Sequence, residues 1–472
     1  MKLRLISLLS IFLFVSLLVV QEGVAKVTLP SIFADHMVLQ QQTKVKIWGW
    51  ADPWETATVT VSWSGEEFKI KGDGNASWSF FVDTPAAGGP YSIRVKGKDQ
   101  DFAIQNILIG EVWICAGQSN MEWSARHGVK DALEELPKAK LPDIRLFKMQ
   151  KRGAGFPQDD VPGTWAVCDS ASLYNFSGVG YFFGKELKNR LNVPIGLIDM
   201  AWGGSYIESW IPGELLELYP EAAYSARIIP PSNYWPKDGG SIYNGMLNPI
   251  RNYKTAGVIW YQGESNVHYP AAYELLQKTM VDHWRQVNDQ NFPFYYVQIA
   301  PYINKLDSTG LQSAFIREMQ WKAMSQENTG MVVTTDQVDN LSDVHPLVKG
   351  VIGRRLAAWA LNEHYKTVSN PYKSPSFRHL EIKRGKALIS FDHVSVKGIE
   401  FRNKQVKEFE IAGEDQVFYP AKAKIVKGRQ LEVWSDQVKR PVAVRFAFRN
   451  APEPTLFDKS GLPVVPFRTD EW

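Results

Sequence analysis

The sequence predicts an α/β domain built on a mostly parallel sheet and set between two all-β modules. Three observations predict it. Five apolar runs recur between residues 107 and 336, and most lack the alternation of a half-buried strand, as strands covered on both faces do. Helical patterns separate several of these runs. On either side lie short segments rich in β-branched and aromatic residues, punctuated by Gly, Pro, Asp and Asn.

The elements follow in chain order. Residues 1–25 read as a secretory signal: Lys2 and Arg4, the apolar stretch "LISLLSIFLFVSLLVV" (5–20), then small residues in "GVA" (23–25). Cleavage after Ala25 predicts an exported protein, periplasmic or extracellular. No cysteine near that point provides a lipid anchor, and no second long apolar run predicts membrane attachment afterwards. Residues 26–107 form an N-terminal β-sandwich from segments such as "KVKIWGWA", "ATVTVSWSG" and "YSIRVKGKD". Residues 108–372 form the α/β domain. Its strands are "ILIGEVWIC" (107–115), "VPIGLIDMA" (193–201), "AGVIWYQ" (256–262), "FPFYYVQIA" (292–300) and "TGMVVTTD" (329–336). Its helices are 179–192, 271–288, 313–327 and 348–365. Residues 373–472 revert to β segments and form a C-terminal module.

Composition removes several classes of function. A net charge of +3 over 472 residues, with no Lys/Arg block, argues against nucleic acid as a partner. Cys115 and Cys168 are the only cysteines, too few for a disulfide framework or a zinc set, though they leave a single pairing open. The eight histidines form no cluster with metal-ligand spacing. The 17 Trp, 18 Tyr and 24 Phe suit sugar binding and β-rich cores equally.

Doubly wound sheets bind ligands outside the carboxyl ends of their strands, so those ends carry the functional argument. The first strand ends in "GQSN" with Ser119, the second in "WGGS" (202–205), the third in "QGESN" (262–266), and "SDVHP" (342–346) follows the fifth. Each alone reads as a turn. Together they supply a hydroxyl, a Gly-Gly turn, an amide beside a carboxylate, and an Asp-x-His, which are the parts of acyl-transfer hydrolysis. A serine needs a base; His345 provides it, with Asp343 to hold the imidazole tautomer. Backbone N–H groups of Ser119 and of Gly203 or Gly204, with the Gln262 side-chain amide, are the candidate oxyanion donors. His268 is the decoy base, in a segment that reads as a loop.

The blocks "GQSNM", "WGGSYIESW", "WYQGESN" and "DVHP" resemble those of the sialate O-acetylesterase family, a branch of the SGNH hydrolases. The likeness extends over the chain to "GLPVVPFRTDEW" (461–472). It implies a flavodoxin-like three-layer αβα domain, Ser119 as nucleophile, His345 as base, no cofactor, and removal of acetyl esters from sugars, O-acetylated sialic acids first. Two positions depart from the wider SGNH pattern: Gln262 stands where an Asn is expected, and the acid Asp343 lies two residues before the histidine instead of three. Glu264 is therefore a rival to Asp343 as the orienting acid. Gln118, Asn120, Tyr206 and Arg126 are candidate substrate contacts, Tyr206 together with Glu208 and Trp210 having packing as its alternative role. Arg126 or Arg251 would suit a sialate carboxylate. An acetylxylan-type esterase and a non-catalytic glycan-binding protein are the alternative readings.

Overall fold

Strand β1 (Asp101–Gly117) organises the molecule. From Ile107 onward every one of its residues is buried, and the side chains alternate between two cores. Val112, Ile114 and Ala116 face one, and Trp113 and Cys115 the other. This is why the run shows no polar alternation: both faces are covered. The computed structural model describes residues 26–367 and 371–472; the predicted signal segment lies outside the described residues.

β1 is flanked by β4 (Ile195–Ala201) and β5 (Gly257–Tyr261), both parallel to it. Beyond β5 come β6 (Phe294–Val297) and β7 (Thr329–Val332); beyond β4 come β2 (Lys140–Met149) and β3 (Gly163–Asp169). The spatial order is β7-β6-β5-β1-β4-β2-β3. Only the β2–β3 pair in this row is antiparallel. With that pair set aside, the order reverses at β1, the switch point of a doubly wound sheet.

Helices α2 (Gly178–Leu191) and α5 (Gly350–Trp359) pack into the core that holds Trp113 and Cys115. Helices α3 (Tyr273–Val287) and α4 (Gln312–Ala323) pack into the opposite one. The domain is thus helix, sheet, helix. Local chemistry sets the ends of α2: the Ser177 side chain accepts the Gly180 N–H, and Asn192 closes it with φ 54°. No helix among the described residues is long and apolar enough to cross a membrane.

β2 and β3 add to the strands expected from the sequence. β2, "KLPDIRLFKM", carries a proline and four charged residues, and the edge strand β3 is only partly buried. Strands of this kind have no continuous apolar run to betray them. Cys115 and Cys168 are free, buried thiols.

The N-terminal module pairs Lys44–Trp50 with Ser77–Asp83 as one hairpin. Its second sheet joins Thr56–Val61 to Glu67–Lys71 and to Gly88–Lys96, which pairs in turn with the first half of β1. The expected boundary at 107/108 therefore falls inside a continuous strand. Both units share one core, Val45, Val59 and Ile93 belonging to the same cluster as Trp260 and Trp284. The C-terminal module has two four-stranded sheets and its own core around Ile389, Leu431, Val433 and Phe446. It docks on α4. The buried Arg317 reaches the carbonyl oxygens of Arg449 and Asn450, and Arg468 pairs with Glu318 at 3.0 Å.

Candidate active site

The ends of three adjacent strands coincide: Ala201 of β4 and Tyr261 of β5 both stand opposite Gly117 of β1. Gly117 has φ 133°, and a Cβ there would sit 2.2 Å from the Tyr261 carbonyl oxygen, so only glycine fits. Its carbonyl accepts the Trp202 N–H at 2.9 Å, and the next N–H, of Gln118, donates to Tyr261 O at 2.9 Å. The loops after all three strands are thereby tied to the residue before Ser119.

Ser119 opens a one-turn helix, α1 (Ser119–Glu122) in the present structure, whose first N–H groups have no intrahelical acceptor. Its Oγ lies 2.8 Å from Nε2 of His345. His345 follows β7 in a loop closed by Asp343. One carboxylate oxygen, Oδ1, accepts the His345 backbone N–H at 2.9 Å and stands 3.3 Å from ring Nδ1. With Nδ1–H turned to Asp343, Nε2 is the acceptor facing the serine. Trp123 stacks on the imidazole at 3.9 Å. Burial, and then the positive charge of Lys349, lower the pKa of the ring, while Asp343 opposes them. The imidazole is therefore held neutral at neutral pH, the state a general base needs.

This chain belongs to the sialic acid-specific acetylesterase family of carbohydrate esterases. Its family model matches residues 109–362. The human sialate O-acetylesterase is 26% identical over 93% of this chain and 91% of that protein. The mouse sialate O-acetylesterase is 26% identical over 81% of each. A crystal structure of a carbohydrate acetylesterase from Xanthomonas citri superposes with a TM-score of 0.87 at 34% identity, covering 95% of this chain and 100% of that one. The protein is a carboxylic ester hydrolase, and its chemistry is sugar deacetylation.

Several residues expected to act at the site are buried and tied to their neighbours. Glu264 forms no hydrogen bond or ion pair with His345 among the described residues; its carboxylate accepts the Asn120 side-chain N–H at 2.6 Å. Asn120 also donates to Val344 O at 3.0 Å and accepts the Lys349 ammonium at 2.6 Å. One amide thus bridges a buried acid and a buried base and grips the carbonyl just before His345. Burial raises the Glu264 pKa and lowers that of Lys349 to about 7. Asn120 is fully buried, so it corrects the expectation of a substrate contact. Gln118 is buried as well, and its Oε1 accepts the N–H groups of Gly263 and Ser265 at 3.2 and 3.3 Å, while its Nε2 has no hydrogen-bond partner among the described residues.

Gln262 is corrected as an oxyanion donor. Its Nε2 donates to Ser205 O at 3.1 Å and Asn266 Oδ1 at 2.8 Å, and its Oε1 accepts the Tyr273 hydroxyl. Both amide hydrogens are spent. Gly203 is spent as well: its N–H donates to Glu122 Oε2 at 2.6 Å. A Cβ on Gly203 would approach the Ser119 Cβ to 3.4 Å, so this turn lies against the serine. The N–H of Gly204, at φ 77°, has no protein acceptor among the described residues.

Tyr206 is mostly buried, its ring set edge-on to His268 at 5.4 Å, while His268 Nδ1 engages Ser265 O. Glu208 and Trp210 are buried; Glu208 accepts from Ser225 and Asn266. Arg126 is exposed on the turn Ala125–His127, and Arg251 donates to Asn248.

Glu122, Trp123 and Lys349 were not expected at the site. Glu122 also pairs with Lys151 at 2.6 Å, joining the segments after β1, β2 and β4. A signal for two of them existed. Glu122 and Trp123 lie three and four residues after Ser119, the spacing that shares one helix face.

Proposed function

We propose that the protein is an exported serine esterase of the SGNH type that removes O-acetyl groups from sugars, O-acetylated sialic acids first. The observation that carries the catalytic reading is the 2.8 Å hydrogen bond between Ser119 Oγ and His345 Nε2 at the switch point of the sheet. Ser119 Oγ attacks the acetyl carbonyl as Nε2 takes its proton. The N–H groups of Ser119 and Gly204 receive the oxyanion; one such donor is worth about 3 kcal/mol of barrier. His345 then protonates the departing sugar oxygen, leaving an acetyl ester on Ser119. A water, deprotonated by His345, attacks that ester, and acetate leaves as the proton returns to the serine. Asp343 keeps the imidazole in its working tautomer and offsets the imidazolium charge.

The test is Ser119→Ala assayed on p-nitrophenyl acetate. Activity falls by a factor on the order of 10⁶ with the fold intact; a folded variant within about tenfold of the native enzyme refutes the assignment.

The sialate preference is supported by the family model and by the curated mammalian relatives. A second reading is an acetylated neutral polysaccharide such as xylan, the Xanthomonas citri structure being described as a carbohydrate acetylesterase. Comparing kcat/KM for 9-O-acetyl sialic acid with that for acetylated xylo-oligosaccharide, with Arg126→Ala alongside, decides between them. Export is supported by the charged, apolar and small-residue order of residues 1–25; amino-terminal sequencing of the exported protein should begin at Lys26.

A further inference from the structure

A cavity of ≈ 270 Å³ opens where the N-terminal module meets the α/β domain, and none of the residues assigned above to catalysis lines it. One wall is the hairpin strand Lys44–Trp50, "KVKIWGW". Strand alternation sends Val45 and Ile47 into the core and leaves Lys46, Trp48 and Trp50 on the opposite face, half-buried against the cavity. Trp78 stands opposite Gly49 in the hairpin register and is buried on the core face, reaching the cavity only at its edge. The facing wall comes from the α/β domain, with Asp159 and the segment 248–252.

Part of the polar lining is committed, Asp73 holding Ser77 and Asn248 holding Gln158 O and Arg251, and part is free. Among the described residues, Lys46 and Asp159 form no ion pair, and the indole N–H groups of Trp48 and Trp50 have no acceptor, whereas Trp78 donates to Trp50 O. Arg251 donates only to Asn248 Oδ1. Lys46 and Arg251 are balanced by Asp73 and Asp159, so the wall carries no net charge. It combines indole rings with donors and acceptors that converge on a space of ligand size.

That combination matches a pyranose, whose apolar C–H face lies on an aromatic ring while its hydroxyls both donate and accept. An anion would meet two carboxylates, and an apolar ligand would strand the charged groups. We propose that this cavity binds a neutral pyranose unit of a glycan chain, holding polymeric substrate to the enzyme independently of the acetyl-ester chemistry.

The test is calorimetric titration of the Ser119→Ala protein with cellohexaose, xylohexaose and sialyllactose at millimolar concentration. The expected result is binding of at least one of the two neutral oligosaccharides. Affinity should then weaken by about tenfold or more in Asp159→Ala/Arg251→Ala, where both side chains are exposed, and in Trp50→Ala. In a Ser119-intact background the same variants should raise KM for an acetylated polymer and leave kcat/KM for p-nitrophenyl acetate unchanged. No binding of either neutral oligosaccharide overturns the proposal, as does binding of sialyllactose alone. Neutral-sugar binding that survives the Asp159→Ala/Arg251→Ala change, which leaves the module's core untouched, overturns it too by placing the sugar elsewhere.

Discussion

Replacing Asp343 by Asn tests how the base is held. In the native loop a single oxygen, Oδ1, accepts both the His345 backbone N–H and the ring Nδ1–H. An asparagine anchored by the same backbone bond keeps its Oδ1 in place, so the loop and the tautomer survive and the charge is lost. At 3.3 Å, two unit charges attract by about 5 kcal/mol at an effective dielectric of ~20 and by about 1.3 kcal/mol in bulk water. The Asp343 side chain is 43% exposed and His345 22%, which places the value between these limits, at roughly 2–3 kcal/mol. The expected loss in kcat is therefore about 30- to 160-fold, far below the ~10⁴ seen when a buried triad acid is neutralised. Because Asp343 is the influence that raises the His345 pKa, the acid limb of kcat/KM should also move to lower pH. Glu264→Gln, which retains an acceptor for Asn120, should cost less in kcat. Steady-state kinetics on p-nitrophenyl acetate across pH reads all three effects. If Glu264→Gln is the worse lesion in two folded proteins, or if Asp343→Asn costs nothing, the orienting acid is misassigned.

Glu122→Ala should lower kcat by about tenfold to a hundredfold, less than the ~3 kcal/mol of losing an oxyanion donor outright, with KM little changed; Glu122→Gln, still able to accept the Gly203 N–H, should recover most of it. Lys349→Met should raise the His345 pKa, seen as an upward shift of the acid limb. It should also flatten stability against pH. Lys349 has its folded pKa depressed to about 7 from 10.5, so between those values the unfolded chain binds the extra proton and stability of the native protein rises with pH. Melting temperatures of the two proteins from neutral pH to pH 10 check this. Activity should survive EDTA, because the proposed steps use only Ser119, His345, Asp343 and backbone donors; reversible loss restored by one divalent metal contradicts the mechanism.

The five central strands were legible because burial on both faces forces an apolar sequence, and the four strand-end motifs because backbone geometry demands Gly and polar residues there. β2 was not legible, since its position next to an edge strand tolerates Asp143 and Lys148. Ser119 and His345, 226 positions apart, were joined by topology alone, each standing at a strand's carboxyl end. What the sequence withheld was side-chain direction. Gln118, Asn120, Gln262 and Glu264 sit within the right motifs, yet point inward, where each satisfies buried backbone or side-chain groups. A polar residue beside a nucleophile looks the same in one dimension whether it meets substrate or braces a loop. Lys349 was hidden differently, as one cation beside a helix that also carries Arg354 and Arg355.

The continuity of β1 makes the two units interdependent. Its first half pairs with Gly88–Lys96, immediately upstream. Its second half is flanked by Ile195–Ala201 on one side and Gly257–Tyr261 on the other. The N-terminal module thus fixes one end of the strand around which the α/β sheet is arranged. A chain shortened to begin at residue 108 would lose that anchorage and start its central strand as a free end.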